Sequence, residues 1–168
     1  MPAESDNIEE LVQQLAAMLM GKGWMLATAE SCTGGMIAAA CTDLAGSSQW
    51  FDRGFVTYSN EAKTEMLGVP AELIAQHGAV SEEVVRAMAE GAIRHSRAQV
   101  SIAVTGIAGP SGGSAEKPVG TVWVGWCIND AFHAMHLRLD GARSTIRAKT
   151  TASSLNGLID QIRLKSTV

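Results

Sequence analysis

Charge is scarce in this 168-residue chain: Asp, Glu, Lys and Arg make up 18% of it, against about 25% in an average soluble domain. Its 13 Lys and Arg residues are outnumbered by 17 Asp and Glu, for a net charge of −4. No basic tract gathers them, so the chain is a poor candidate for a general nucleic-acid binder. Cysteine is limited to Cys32, Cys41 and Cys127, an odd set with no C-x-x-C pair. Neither a disulfide framework nor a zinc knuckle fits it. No His, Cys, Asp and Glu residues cluster at metal-ligand spacing, so no metal and no cofactor is expected. No apolar run approaches the roughly 18 residues that span a membrane. Glu4, Asp6, Glu9 and Glu10 stand where a signal peptide has its basic start. The expectation is a soluble, cytoplasmic protein without membrane or nucleic-acid partners. Nucleotide fingerprints are missing too. No G-x-G-x-x-G follows the first strand, and Gly112-Gly113-Ser114-Ala115-Glu116-Lys117 runs into Pro118 without Walker spacing. Kinase, ATPase and dehydrogenase readings lose their usual support.

Against these absences stand 46% apolar residues and 17 Gly, a composition that rules out wholesale disorder and suits tight helix–sheet packing. The length suits one well-buried domain over residues 1–168. Apolar residues at 8, 11, 12, 15 and 19 predict a first helix, started by Asp6 and Glu9 and stopped by Gly21 and Gly23. Trp24 to Ala29 reads as a buried strand, Met36 to Leu44 as an Ala-rich helix and Phe55 to Tyr58 as a strand. Short helices follow: one capped by Asn60 and ending at Gly68, another from Pro70 to Gly78. A longer one runs from Ser81 to about His95. Val100 to Val104, Val119 to Ile128 and Ala131 to Leu139 read as strands, the last two joined by an Asn129-Asp130 turn. A helix from about Ser144 to Leu164 closes the order. Strands separated by helices favour parallel pairing and the late hairpin adds an antiparallel part. The fold class predicted is α/β: a three-layer α/β/α sandwich on a mixed, mostly parallel sheet.

Two glycine-bearing loops, residues 30–35 and 105–114, leave the C-terminal ends of predicted parallel strands, the edge at which open α/β sheets bind ligands. The Gly34-Gly35 turn offers backbone N–H groups at a helix start, suited to an anion or a developing oxyanion. Ser31, in a strand-to-helix turn, is a candidate nucleophile, but it lacks G-x-S-x-G flanks and needs a base. Cys32 competes for that role or packs as a small apolar residue. Lys63, just past a strand end and near Tyr58, the only tyrosine, can serve as a neutral base if desolvated. Taken alone, an exposed helical lysine is its more ordinary reading. Arg143 and Arg147 open the last helix and can clamp a phosphate, or stay solvated. The four histidines, His77, His95, His133 and His136, read as lone surface side chains.

Six blocks taken together are distinctive. They are Ala29-Glu30-Ser31-Cys32-Thr33-Gly34-Gly35, Gly46-Ser47-Ser48, Tyr58-Ser59-Asn60-Glu61-Ala62-Lys63, Gly78-Ala79-Val80-Ser81, Thr105-Gly106-Ile107-Ala108-Gly109-Pro110 and Lys117-Pro118-Val119-Gly120-Thr121-Val122. In this order they closely resemble the CinA C-terminal domain family. The likeness runs from about Ala27 to the final helix, without the N-terminal pyrophosphatase domain of longer family members. In its stand-alone form the family implies hydrolysis of the carboxamide of nicotinamide mononucleotide to nicotinic acid mononucleotide and ammonia, in pyridine-nucleotide salvage. It also implies a serine–lysine site without metal. Carried onto this chain, Ser31 matches the nucleophile, Lys63 the base and Tyr58 a hydroxyl that relays the proton or orients the amine. Glu30, Thr33, Gly34, Gly35, Thr105, Gly106, Gly109 and, more loosely, Arg143 match substrate-binding positions. The competing expectation is a non-catalytic nucleotide-binding module tied to competence or DNA damage. The expected partner is a small nucleotide. The apolar last helix suits a homodimer or higher homo-oligomer as well as a monomer core.

Overall fold

The computed structural model describes residues 7–166, and within them the predicted element order is found. Helix α1 (Ile8–Lys22) starts at Asn7, whose Oδ1 accepts from the Glu10 N–H, and ends on Gly23 in the left-handed conformation (φ +66°). Asp6, expected to start it, lies outside the described residues. Gly21 does not stop the helix, because the left-handed cap falls two residues later. Then come β1 (Leu26–Glu30), α2 (Met36–Thr42), a 3-10 turn (Ser47–Gln49) and β2 (Phe51–Val56). They are followed by α3 (Asn60–Leu67), α4 (Ala71–His77), α5 (Glu82–Arg94), β3 (Val100–Gly106), β4 (Thr121–Ile128), β5 (Ala131–Arg138) and α6 (Arg143–Ser166). Ser59, not Asn60, caps α3 by accepting from the Ala62 N–H, and Ser81 caps α5 through the Val84 N–H.

The five strands form one sheet in the order β2-β1-β3-β4-β5. β2, β1 and β3 run parallel, and β4 and β5 are antiparallel additions. The second strand starts and ends earlier than expected. It is one of the two edges of the sheet, and its Asp52-Arg53-Gly54 stretch hides it from an apolar reading.

Alternation along the inner strands feeds two cores. Leu26, Val100, Ile102, Val104, Val124 and Trp126 point to one face, packed by α1, α2 and α6. Ala27, Ala29, Ala103 and Cys127 point to the other, packed by α3, α4 and α5. The second face is built of small side chains, so α5 comes close: a Cβ on Gly125 would stand 3.3 Å from Val85 Cγ1. On the first face Trp126 is 2% exposed and its indole N–H donates to the Ser154 carbonyl of α6 at 2.9 Å. Burying such side chains contributes roughly 1.5–3 kcal/mol each, and indole burial requires the N–H to be satisfied, as it is here. The result is the α/β/α sandwich expected from the order of elements. The ends of β1, β2 and β3 open along one edge of its sheet.

Candidate active site

Three loops meet at that edge. The first is the turn of residues 31–35 after β1. Gly34 (φ +58°) and Gly35 (φ +107°) occupy the left-handed region that side-chain-bearing residues avoid, so the chain reverses into α2 within five residues. The Ser31 N–H donates to the Val104 carbonyl and so ties the turn to β3. Glu30, the last residue of β1, is 1% exposed. Its carboxylate accepts from Thr33 Oγ1 (2.7 Å), the Ile37 N–H (2.9 Å) and the Ala38 N–H (3.0 Å). A buried anion there meets the positive end of α2 and caps it from outside. Of the residues the resemblance places at the substrate, Glu30 thus directs its carboxylate inward, and Thr33 is fully buried on it. The first N–H groups of α2 are therefore committed. Those of the preceding turn, at Cys32 and Thr33, bond to no other residue among the described residues.

The second loop, residues 57–59, joins β2 to α3. The Thr57 N–H donates to the Glu30 carbonyl at 2.8 Å, which locks this loop to the first. Lys63 sits in the first turns of α3, and helical side chains lean toward the helix N-terminus. Its stem therefore reaches back over the cap. Lys63 is 1% exposed, not the solvated lysine its helix suggests. Nζ lies 3.1 Å from Ser31 Oγ, 3.1 Å from the Thr57 carbonyl oxygen and 3.1 Å from the Tyr58 carbonyl oxygen. Among the described residues no carboxylate lies within ion-pair distance of it. Burial holds its ammonium below the usual lysine range, opposed by Cys32 and Glu61. Nζ donates to all three oxygens, and Ser31 Oγ itself donates to the Tyr58 carbonyl at 3.4 Å, so the amine and the hydroxyl share that acceptor.

Tyr58 touches this pair through its backbone. Its side chain is 61% exposed, and its hydroxyl accepts from Arg143 Nη2 at 3.1 Å. Arg143 Nη1 donates to the Gly109 carbonyl at 2.8 Å, so one guanidinium spans the second loop and the third, residues 106–110. Thr105 Oγ1 donates to the Ala79 carbonyl at 2.9 Å. A Cβ at Gly106 would meet Val122 Cγ2 at 2.7 Å and Cys32 Sγ at 3.2 Å. Cys32 thus packs against the third strand's end. Burial pushes its thiol up to about 11, and a neutral thiol is a poor nucleophile near pH 7.

Between the loops lies a cleft of about 230 Å³. Of the residues singled out in the sequence, Ser31, Cys32, Tyr58, Lys63, Thr105, Gly106 and Arg143 line it, while Glu30, Thr33, Gly34, Gly35 and Gly109 do not. Asn60, Ala79, Val80 and Ala108 complete the lining. No side-chain chemistry flagged these four, although each falls inside one of the six distinctive blocks. The histidines take no part in the lining. Among the described residues no group of three or more His, Cys, Asp or Glu side chains could hold a metal ion, and no helix is long and apolar enough to cross a membrane.

Known proteins resemble this chain in sequence and in fold. The nicotinamide-nucleotide amidohydrolase PncC of Enterobacter agglomerans is 52% identical over 150 residues, covering 89% of this chain and 92% of that protein. PncC of Escherichia coli K12 is 50% identical over 156 residues, covering 92% of this chain and 94% of its own length. The crystal structure of the competence/damage inducible protein CihA from Agrobacterium tumefaciens matches with a TM-score of 0.89 at 49% identity, over 93% of this chain and 95% of that one. The CinA C-terminal domain family matches residues 8–162. With the same fold and half its residues shared over most of its length, this chain belongs to the CinA C-terminal domain family.

Proposed function

We propose that the chain hydrolyses the carboxamide of nicotinamide mononucleotide to nicotinic acid mononucleotide and ammonia, serving pyridine-nucleotide salvage, with Ser31 as nucleophile and Lys63 as base. One observation carries the reading: a buried lysine amine, with its donors directed at two backbone carbonyls, 3.1 Å from a serine hydroxyl in a small cleft. That separation is within reach of direct proton transfer. The names of the related amidohydrolases supply the substrate class.

Neutral Lys63 takes the Ser31 proton as Oγ attacks the carboxamide carbon, forming a tetrahedral oxyanion. The Cys32 and Thr33 N–H groups of the 31–35 turn receive that oxyanion. The C–N bond then breaks, and the Lys63 ammonium returns its proton to the departing nitrogen, which leaves as ammonia. A water molecule attacks the acyl ester and gives a proton to Lys63, and Ser31 Oγ recovers that proton as the acid departs. Tyr58 positions Lys63 by its carbonyl. Arg143, the exposed cation on the cleft wall, faces the substrate phosphate.

Ammonia release from nicotinamide mononucleotide by the purified protein, beside Ser31→Ala, tests this. The wild type is expected to turn over and Ser31→Ala to be inactive while melting normally. Removing the 5′-phosphate from the substrate is expected to raise KM. A fully active Ser31→Ala, or a wild type that binds the nucleotide without releasing ammonia, refutes the reading.

A further inference from the structure

Arg147 lies one turn beyond Arg143 on α6 and reaches the back of the nucleophile turn, not its mouth. Its Nε donates to the Cys32 carbonyl at 3.0 Å and its Nη2 to the Thr33 carbonyl at 3.3 Å. Among the described residues no carboxylate pairs with it, and it does not line the cleft. A half-buried cation is thus directed entirely at two peptide carbonyls. That is an odd use of a guanidinium if its role were to clamp a phosphate.

The connectivity gives it a purpose. A peptide unit whose carbonyl accepts a hydrogen bond becomes a stronger donor at its own N–H, and such bonds reinforce one another in chains. The Thr33 carbonyl, held by Arg147, belongs to the same peptide as the Gly34 N–H. The Gly34 N–H donates to the Ser31 carbonyl at 3.0 Å. The Ser31 carbonyl shares its peptide with the Cys32 N–H, which has no other residue as partner and follows the nucleophile directly. A shorter branch runs from Arg147 Nε through the Cys32 carbonyl to the Thr33 N–H, which likewise bonds to no other residue among the described residues. The chain of bonds depends on the turn being close to the guanidinium: a Cβ on Gly34 would stand 3.4 Å from Arg147 Nη2.

We propose that Arg147 is a positioning residue for amide hydrolysis, whose charge polarises and aims the Cys32 and Thr33 N–H groups at the oxyanion formed on Ser31. This rests on the reading of Ser31 as the nucleophile. The test is steady-state ammonia release from nicotinamide mononucleotide by wild type, Arg147→Lys, Arg147→Gln and Ser31→Ala, with thermal midpoints recorded for each. Loss of a whole oxyanion donor costs about 10²–10³ in rate, so weakening one is expected to lower kcat by roughly 10–100-fold in Arg147→Gln, with KM held. Arg147→Lys keeps the charge and is expected to retain more kcat than Arg147→Gln at a similar midpoint. It also carries the KM-against-kcat comparison alone should the Gln variant fail to fold. A raised KM with kcat preserved makes Arg147 a substrate contact and overturns the proposal. Equal losses in Lys and Gln reduce it to a neutral tether and overturn it too, as does an unchanged kcat in both. Activity surviving in Ser31→Ala instead removes the nucleophile reading beneath it, a separate and recognisable failure.

Discussion

Replacing Lys63 by Met keeps an unbranched stem in a site that is 1% exposed and removes the amine. Three consequences can be worked out. Loss of a general base lowers the rate by about 10²–10⁴. In the wild type only the neutral amine accepts the Ser31 proton, so kcat/KM rises tenfold per pH unit up to the lowered pKa of Lys63 and then levels. The variant's residual rate lacks that rise. The third consequence concerns stability. Burial lowers the folded-state pKa of Lys63 below its ordinary 10.5. Between those two values the unfolded chain binds a proton that the folded chain does not. Stability therefore increases with pH across that window, by at most about 1.4 kcal/mol per unit. Below the window the folded protein bears the full cost of a buried ammonium, and above 10.5 that cost has vanished. A Met side chain does not titrate, so the stability of wild type relative to Lys63→Met is expected to climb as pH rises toward 10.5. Urea unfolding of both proteins at stepped pH, beside ammonia assays on the same samples, measures all three. A flat wild-type rate profile, with a stability difference independent of pH or falling as pH rises, would show that Lys63 stays charged and would refute the neutral-base argument.

Two further substitutions separate packing from chemistry. With its thiol pushed up to about 11, Cys32 is roughly one part in 10⁴ thiolate at pH 7. Cys32→Ala is therefore expected to keep kcat within about twofold and to lose about 1 kcal/mol from the gap left beside Gly106, whereas a large loss of kcat at normal stability would return the nucleophile role to sulfur. Glu30→Gln puts an amide where two helix N–H groups and the Thr33 hydroxyl need acceptors. Leaving one of those donors unmet costs about 1–3 kcal/mol and lowers the melting temperature by roughly 2–12 °C. Calorimetry showing no change would mean that the carboxylate is not what holds the turn.

The elements that could be read from the chain are those whose ends announce themselves locally. Ser81 before Glu82-Glu83, Pro70 before a short apolar stretch, and Gly68 closing α3 each satisfy or terminate a helix with their own atoms. The strand that slipped, β2, sits at the sheet edge, where one side faces solvent and the apolar run is broken by Asp52, Arg53 and Gly54. Gly54 has a reason that only the fold supplies: a Cβ there would stand 2.7 Å from Thr28 Oγ1 on the neighbouring strand. Gly21 misled for the opposite reason. It lies inside α1 with nothing within 4 Å of where its Cβ would be, so no contact requires it.

The site divides along a similar line, between side chains that act on side chains and side chains that act on backbone. Ser31, Lys63 and Arg143 stood out because their chemistry is written in their residue types. What decides their behaviour is not. Lys63 reads as a solvated helical lysine until the Thr57 and Tyr58 carbonyls are seen converging on its amine, and a carbonyl has no letter in a sequence. The family resemblance puts Glu30 among the substrate-binding positions, and in the fold its carboxylate is held by two helix N–H groups and a neighbouring hydroxyl. Arg147, four residues from Arg143 and chemically its equal, differs only in that its targets are peptide oxygens behind the turn, while Arg143 also meets the Tyr58 hydroxyl at the cleft. Each of these three residues bonds to backbone around the Ser31–Lys63 pair: two carbonyls meet the Lys63 amine, two helix N–H groups meet the Glu30 carboxylate, and two turn carbonyls meet Arg147. On the proposed mechanism a substitution at Glu30 or Arg147 is expected to change catalysis without removing any atom that touches substrate, and the kinetic signature expected at both is a fall in kcat with KM held.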